Sequence, residues 1–470
     1  MGERNRFYVD ITAMHNEVTG SCILAITKLP NEQTIRFVVD CGLFQEREYE
    51  ELNSELLFKP EDIDFCIITH NHVDHVGRVP FLVKEGFNKE IYTTVETSKL
   101  LPLSLGDSYR VLKDTYKRKN ERCLYDEEDV EKTLSLVKPC EYEKIIHIGK
   151  HIKITFFNNG HLNGAASVLA QISYPGSGSI NMLFTGDYNN KNMFFDVKKI
   201  PKWVVKLPLT VIQESTYGDM DSTCITKTFK KNVKECIEKE GTVIVLVFSL
   251  GRAQEILYEI KTMQDEGELE DIPIYFDGKL AIRYTNLYIN GGLNIKEEMK
   301  DFLPKNLEFV DKSTRMTVLN DTSKKIILTT SGMGSYGPAQ LYIPEYITRP
   351  NALIQFTGYT AEGTLGSRLK NADMGDMVEI SGILVEKKAR VEYTTEYSAH
   401  AKADEMIEFL KQFEDLKLVL VNHGETDTKK KFAKRILKEV NPKRVGLLER
   451  EYFFRINSWG LIKSLPTKFK

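Results

Sequence analysis

The stretch ITHNHVDHVGR, Ile68 to Arg78, packs three imidazoles (His70, His72, His75) and one carboxylate (Asp74) into six residues. It follows the β-rich run IDFCI at Ile63–Ile67, so the cluster is expected at the end of a strand. Imidazole and carboxylate are the ligand types that suit zinc, and catalytic zinc sites keep a position open for water. Concentrating so many ionisable groups at one strand end would be costly without a metal. An exposed polar loop that happens to be rich in histidine is the alternative.

Working outward, the same punctuation recurs: an apolar run ends abruptly in a metal-competent side chain. IRFVVD ends at Asp40, IKITFFNNGH at His161 and INMLFTGD at Asp187; near the C-terminus VEYTTEYSAH ends at His400 and KLVLVNH at His423. Strand ends converging on one sheet edge are where open α/β proteins build ligand sites. Six residues cannot complete two coordination spheres, so further ligands must come from elsewhere in the chain. His161 and Asp187 each stand beside a glycine that lets the backbone turn or approach closely. Either alone would read as a turn residue, and their order after the H-x-H-x-D-H cluster is what raises them to ligands.

Between these flanks, roughly residues 210 to 390, strands alternate with helices: TVIVLVFS, then LGRAQEILYEIKTM, IPIYF, KIILTTSG and NALIQFTG. That texture predicts a parallel-sheet α/β domain inserted into the first one. Residues 100 to 137 read as largely helical and polar.

The bulk numbers set bounds. A chain of 470 residues is long for one domain. With 64 basic against 67 acidic side chains there is no global electrostatic footprint for a nucleic acid, so a polyanion must be held by a local patch or by metal ions. The basic stretches KRKNER (Lys117–Arg122) and TKKKFAKR (Thr428–Arg435) read first as solvated faces; the second carries a helical apolar rhythm through Phe432, Ala433, Ile436 and Leu437. The seven cysteines are scattered and never form C-x-x-C, which argues against a disulfide framework and against a thiolate zinc site. No apolar stretch approaches the roughly 20 residues a membrane span needs, and the opening residues lack a secretory h-region, so a cytoplasmic protein is expected.

The series Asp40, His70-x-His72-x-Asp74-His75, His161, Asp187 resembles the motifs of the metallo-β-lactamase superfamily in order and approximate spacing. Three later positions, Glu214 in VIQESTYG, His400 in YSAHAKADE and His423 in VLVNHGE, resemble those of its β-CASP branch of nucleic-acid-processing enzymes. FSLGRAQEIL, TSGMGSYGP and FTGYTAEGTLGSRL also look like β-CASP segments. Within that family the likeness is to the endonuclease of eukaryotic pre-mRNA 3′ cleavage and its prokaryotic relatives. The implied fold is α/β, a metallo-β-lactamase αββα sandwich (residues 1–208 and 392–470) with an inserted parallel-sheet β-CASP domain (residues 209–391).

The resemblance also implies roles. His70, His72 and His161 would hold one zinc ion, Asp74, His75 and His423 a second, with Asp187 bridging. His400 would be the general acid, with Glu214 fixing its tautomer, and Asp40 would orient a ligand histidine. Ser331, Gly332, Met333 and Gly358, with Thr364, Gly366 and Arg368, would contact the substrate, with turns and packing as an equal alternative. His15 would line the site mouth or be a plain loop histidine. The implied activity is hydrolysis of RNA by an endoribonuclease, with 5′-to-3′ exonuclease action in some relatives, and the implied partners are RNA, a second copy or an RNA-processing complex. RNA-processing members carry histidine at the last motif where DNA-repair members usually carry valine. A DNA nuclease, a small-molecule hydrolase and a non-catalytic scaffold subunit are the alternatives.

Overall fold

The computed structural model describes residues 7–174, 178–358, 360 and 363–466. Tyr359, Ala361 and Glu362 of the FTGYTAEGTLGSRL segment lie outside the described residues.

Apolar residues alternating along the strands at both ends of the chain build two sheets facing each other. One has eight strands, in the order 460–466, 452–457, 9–13, 23–28, 34–39, 65–67, 91–94 and 137–140. The other has seven, in the order 445–447, 415–421, 208–213, 178–184, 166–174, 152–158 and 145–148. Inward-facing side chains of both, among them Ile11, Phe37 and Phe65 from the first and Ile154, Phe156, Val168 and Met182 from the second, form one buried core. Each outer face needs its own cover, because a sheet is apolar on both sides when both are packed. Helices Val79–Lys84, Val95–Lys119 and Glu127–Ser135 cover the first sheet through Leu82, Leu101, Leu105 and Val130. Helices Ala403–Lys411 and Thr426–Glu439 cover the second through Met406, Leu410, Phe432 and Ile436. The result is an αββα sandwich.

A third sheet of six strands (307–310, 274–277, 325–329, 242–246, 353–356, 390–393) is parallel throughout. Its core includes Ile244, Leu246, Ile327, Tyr342 and Ile354. A two-stranded hairpin, Met377–Ile380 with Ile383–Glu386, stands apart as a fourth sheet.

The chain forms two compact units, residues 1–192, 196–222 and 400–470 in the first, and residues 193–195 and 223–399 in the second. The expected edges at 208/209 and 391/392 therefore move. Strand Pro208–Gln213 lies parallel between Gly178–Phe184 and Asp415–Val421, which places it in the first unit, while Arg390–Tyr393 pairs with Leu353–Phe356 in the second. The run VEYTTEYSAH likewise splits: its strand ends at Tyr393, and His400 lies in the following loop.

Other expectations meet the structure in detail. The rhythm in TKKKFAKR is a helix face on which Phe432 and Ile436 are buried, but Leu437 is exposed. All seven cysteines are free; five are buried, Cys123 is half-buried and Cys224 is exposed. Among the described residues no helix is long and apolar enough to cross a membrane.

Candidate metal centre

Strand ends of the first unit bring the motif residues to one place. His70 and Asp187 each stand three residues beyond a strand, following Phe65–Ile67 and Gly178–Phe184, and His161 stands three beyond Ile152–Asn158. Asp40 directly follows Thr34–Val39, and His423 stands two beyond Asp415–Val421. Asp40 and His423 adopt φ of 62° and 49°, the left-handed region that non-glycine residues rarely occupy, and such strain clusters at functional sites. Gly160, with φ of 79°, precedes His161; a Cβ there would come within 2.4 Å of the Asn189 carbonyl oxygen, so only glycine permits the turn.

Two groups of ligand atoms result. One is His70, His72, His161 and Asp187, the other Asp74, His75, Asp187 and His423, and within each group one ligand atom per residue lies within 4.8 Å of all the others. Asp187 belongs to both. Its Oδ2 faces His70 Nε2 at 3.5 Å and His161 Nε2 at 3.7 Å, and its Oδ1 faces His75 Nε2 at 3.3 Å and His423 Nε2 at 3.4 Å. Asp74 Oδ2 is 3.8 Å from both His75 Nε2 and His423 Nε2.

The surrounding hydrogen bonds fix the tautomers, as they do around bound metals. Asp40 Oδ2 accepts from His75 Nδ1 at 2.8 Å and from the Thr69 hydroxyl at 2.8 Å; its Oδ1 accepts the Thr69 backbone N–H, also at 2.8 Å. Because the Thr69 hydroxyl is committed to Asp40, it must accept from His70 Nδ1, 3.1 Å away. His423 Nδ1 lies 3.1 Å from the Thr216 hydroxyl. Each of these imidazoles thereby turns its Nε2 toward the centre, and for His75 and His70 the proton is placed on Nδ1.

A metal ion fits this donor set. His70 Nε2, His72 Nε2 and Asp187 Oδ1 are buried with no hydrogen-bond partner among the described residues, a costly arrangement unless a cation satisfies them. His75 Nε2 and His423 Nε2 approach to 3.1 Å, as do His161 Nε2 and His72 Nδ1, so imidazole nitrogens converge on common points. Burial pushes His72 down to about 4 and lowers His70 well below its ordinary value, favouring the neutral ligand form. Burial opposes ionisation of Asp187, but His423, His75 and His70 outweigh it and hold the carboxyl well below its usual range. Asp74, likewise penalised by burial, is held at about 2 by the neighbouring imidazoles of His423 and His75, each 3.8 Å away.

Beside the centre, His400 Nδ1 meets Glu214 Oε1 at 3.0 Å, and His400 Nε2 lies 3.9 Å from Asp187 Oδ2. Glu214 is buried and held by backbone N–H groups: Tyr188 donates to Oε1 at 2.9 Å and Thr216 to Oε2 at 3.0 Å. Burial lowers the His400 pKa, but the Glu214 carboxylate, with Asp187 behind it, raises it above the ordinary value.

His15 is buried, and its Nδ1 accepts the Cys22 backbone N–H at 3.2 Å. Burial first, then the neighbouring charges of His423, Lys429 and His75, push its pKa well below the ordinary value. It is a loop residue, but a buried one. Thr69, whose hydroxyl sets the His70 tautomer, and Thr216, whose hydroxyl meets His423 Nδ1, were not legible in the sequence; their places next to His70 and two residues after Glu214 are the only signal. Ser331, Gly332, Met333 and Gly358 belong to the second unit. A Cβ at Gly332 or Gly358 would meet the Phe248 ring at 2.6 or 2.9 Å, so both glycines have a packing reason. Thr364 caps helix Leu365–Asn371, Gly366 donates its N–H to the Met333 carbonyl at 2.9 Å, and Arg368 is exposed.

Fold and site together define a metal-dependent hydrolase. The family model of the metallo-beta-lactamase superfamily matches residues 20–201, that of the Beta-Casp domain residues 253–369, and that of the Zn-dependent metallo-hydrolase RNA specificity domain residues 384–445. The chain belongs to the β-CASP family of the metallo-β-lactamase superfamily, whose members of this type are metal-dependent nucleases. It is 30% identical to a ribonuclease of Thermus thermophilus over 87% of this chain and 91% of that one. It is also 30% identical to a transcription termination factor of Methanosarcina mazei (89% and 67%) and 28% identical to Integrator complex subunit 11 of Danio rerio (87% and 67%). A subclass B3 metallo-β-lactamase from a soil metagenome library is matched at 16% identity over 37% of this chain and 61% of its own, with a TM-score of 0.23.

Proposed function

We propose that this protein is a two-zinc ribonuclease that cuts RNA internally to leave a 5′ phosphate and a 3′ hydroxyl, and that it also degrades RNA from the 5′ end. The observation that carries the two-metal reading is Asp187, one oxygen of which faces each ligand group. His70, His72 and His161 would hold one ion and Asp74, His75 and His423 the other. Ions so placed neutralise charge on a phosphodiester and make water nucleophilic near neutral pH. The protein's own part is acid catalysis and positioning. His400 donates a proton from Nε2 to the departing ribose oxygen, while Glu214 accepts from Nδ1 and keeps the imidazole in that tautomer. Asp40 holds His75 directly and His70 through Thr69.

The RNA substrate is supported by the match to an RNA specificity domain and by the ribonuclease of Thermus thermophilus. His423 at the last motif points the same way. The likeness to an Integrator complex subunit supports a place in an RNA-processing complex, and we take the cytoplasm as its compartment. Backbone groups around Ser331, Gly332, Met333 and Gly358, and the Arg368 side chain, would contact the RNA strand.

The test is a cleavage assay on matched, internally labelled single-stranded RNA and DNA, with metal content measured on the same samples. RNA cut in the interior by protein carrying two zinc ions per chain is the expected result. Preferential DNA cleavage, or zinc-loaded protein that cuts neither polymer, would overturn the reading.

A further inference from the structure

The helix Thr426–Glu439, which follows His423, begins without a cap of its own: Glu425, the residue before it, makes no capping hydrogen bond with its side chain. The first N–H groups of a helix have no partner inside it and need an acceptor from elsewhere. Here the acceptor comes from the other end of the chain. The Glu17 carboxylate accepts the Thr426 backbone N–H on Oε2 at 3.0 Å and the Thr426 hydroxyl on Oε1 at 2.7 Å, across 409 residues of sequence. A negative charge at a helix N-terminus is also favoured by the helix dipole. One turn further on, the fully buried Lys429 donates from Nζ to the Asn16 carbonyl, so the same loop grips the helix twice.

His423 stands just before this grip, with its backbone strained at φ of 49°. Such a conformation persists only where the surroundings over-determine it. Ser215 and Thr216 fix one side. Ser215 donates its N–H to the His423 carbonyl at 3.0 Å, a Cβ on Gly424 would come within 2.4 Å of Ser215 Oγ, and the Thr216 hydroxyl meets His423 Nδ1. Glu17 fixes the other side, through Thr426. Further along the same loop the Ser21 N–H donates to the Asp74 carbonyl at 2.9 Å, so the loop braces two segments that carry ligands of one group.

We propose that Glu17 is a positioning residue for the ligand group Asp74, His75, Asp187 and His423: by capping the helix that follows His423, it holds that imidazole where an ion can use it. This rests on the two-zinc reading above. Without Glu17, His423 is anchored on one side only and its left-handed backbone can relax. The effect falls on one group, because His70, His72 and His161 lie on other segments of the chain.

Zinc-loaded full-length protein is titrated with a chelator, and the zinc left on each chain is measured for wild type, Glu17→Ala, Glu17→Gln and Ile436→Val. The wild type is expected to hold two ions. Glu17→Ala is expected to release one of them at about one-tenth of the wild-type chelator concentration or less, and the other at the wild-type concentration. Glu17→Gln, whose amide oxygen still accepts the Thr426 N–H, is expected to recover part of the loss. Ile436→Val loosens the same helix at a buried position toward its other end, and is expected to lower the melting temperature while both ions stay as tightly held as in the wild type. A wild type that holds a single ion would overturn the two-zinc reading and this proposal with it. Two ions in the wild type held equally tightly by Glu17→Ala, or the same selective release from Ile436→Val, would overturn the proposal alone.

Discussion

Across 186 residues of sequence, His400 and Glu214 are joined by one 3.0 Å hydrogen bond from Nδ1 to Oε1. The carboxylate is itself clamped by the backbone N–H groups of Tyr188 and Thr216, so it cannot turn away from the imidazole. This clamp leaves His400 Nε2 as the one ring atom able to serve a reacting group. His400→Ala is expected to lower kcat for RNA cleavage by about 10²–10⁴-fold with metal content unchanged. Glu214→Gln, which keeps the shape but removes the charge, is expected to lose a smaller part of the same factor. Single-turnover cleavage with metal analysis on the same samples checks both; a change confined to KM would show that His400 only helps to bind RNA.

Asp187 and Asp74 separate the two ligand groups experimentally. Asp74 belongs to one group, whereas Asp187 belongs to both. Zinc analysis after gel filtration is expected to show about one ion per chain for Asp74→Ala and fewer for Asp187→Ala, against two for the wild type. Chelator treatment of the wild type should lower its melting temperature, because buried imidazoles and carboxylates that a cation satisfied become unpaired. Equal metal loss in the two variants would argue against a bridging Asp187.

Asp40 touches no ligand atom of the centre, yet it orients two of its histidines, one directly and one through the Thr69 hydroxyl. Asp40→Ala is expected to weaken metal affinity about 10–100-fold, and Thr69→Val less, since that change frees only His70. Competition with a fluorescent zinc chelator measures this directly. Unchanged affinity in both variants would mean that packing alone holds the imidazoles.

How much of this was legible in the sequence depended on whether the signal was local. The cluster His70 to His75 carries its own chemistry, and the apolar runs before Asp40, His161, Asp187 and His423 place those residues near strand ends without any knowledge of the neighbours. The boundary was harder. The run Leu209–Ile212 reads as a buried strand whichever sheet it joins, and only its pairing in space, with Gly178–Phe184 on one side and Asp415–Val421 on the other, assigns it to the first unit. For the same reason the strand before His400 could not be separated from the loop that carries His400. The hydroxyls of Thr69 and Thr216 were invisible because a threonine at a strand end is common, and its role depends on which histidine lies beside it in space. Leu437 keeps the helical rhythm of its buried neighbours yet is exposed: periodicity marks a face and does not fix where the covering sheet ends.

In the second unit, Asp277 is almost fully buried at the end of its strand and pairs with both Nε and Nη2 of Arg315, at 2.5 and 2.8 Å, while the Tyr342 hydroxyl donates to Oδ2 at 2.9 Å. Removing one partner of such a pair leaves the other uncompensated. Asp277→Ala is expected to destabilise the unit by about 3–5 kcal/mol, and Tyr342→Phe by about 1 kcal/mol. Urea denaturation followed by hydrogen exchange of strand Lys325–Thr329 reports on this unit; a loss below that of Tyr342→Phe would show that the ion pair contributes little.

Asp404 offers a test of pH dependence away from the ligand groups. Burial penalises its ionised form, but the N–H of Ser222, at 2.8 Å, and the Ser222 hydroxyl donate to the carboxylate and outweigh that penalty, so its pKa is held below the ordinary value. A carboxyl lowered on folding contributes stability that is fully present above its unfolded pKa of about 3.9 and disappears as pH falls through the folded value. Asp404→Asn should therefore be less stable than the wild type by a constant amount from neutral pH down to about pH 5, and the gap should close as the pH falls below about 4. Metal ligands also titrate on acidification, but they do so in both proteins, so the difference between the two unfolding curves isolates Asp404. A gap that stays constant to the lowest pH would mean that the asparagine acts through shape or packing, and that the hydrogen bonds from Ser222 do not favour the ionised carboxylate.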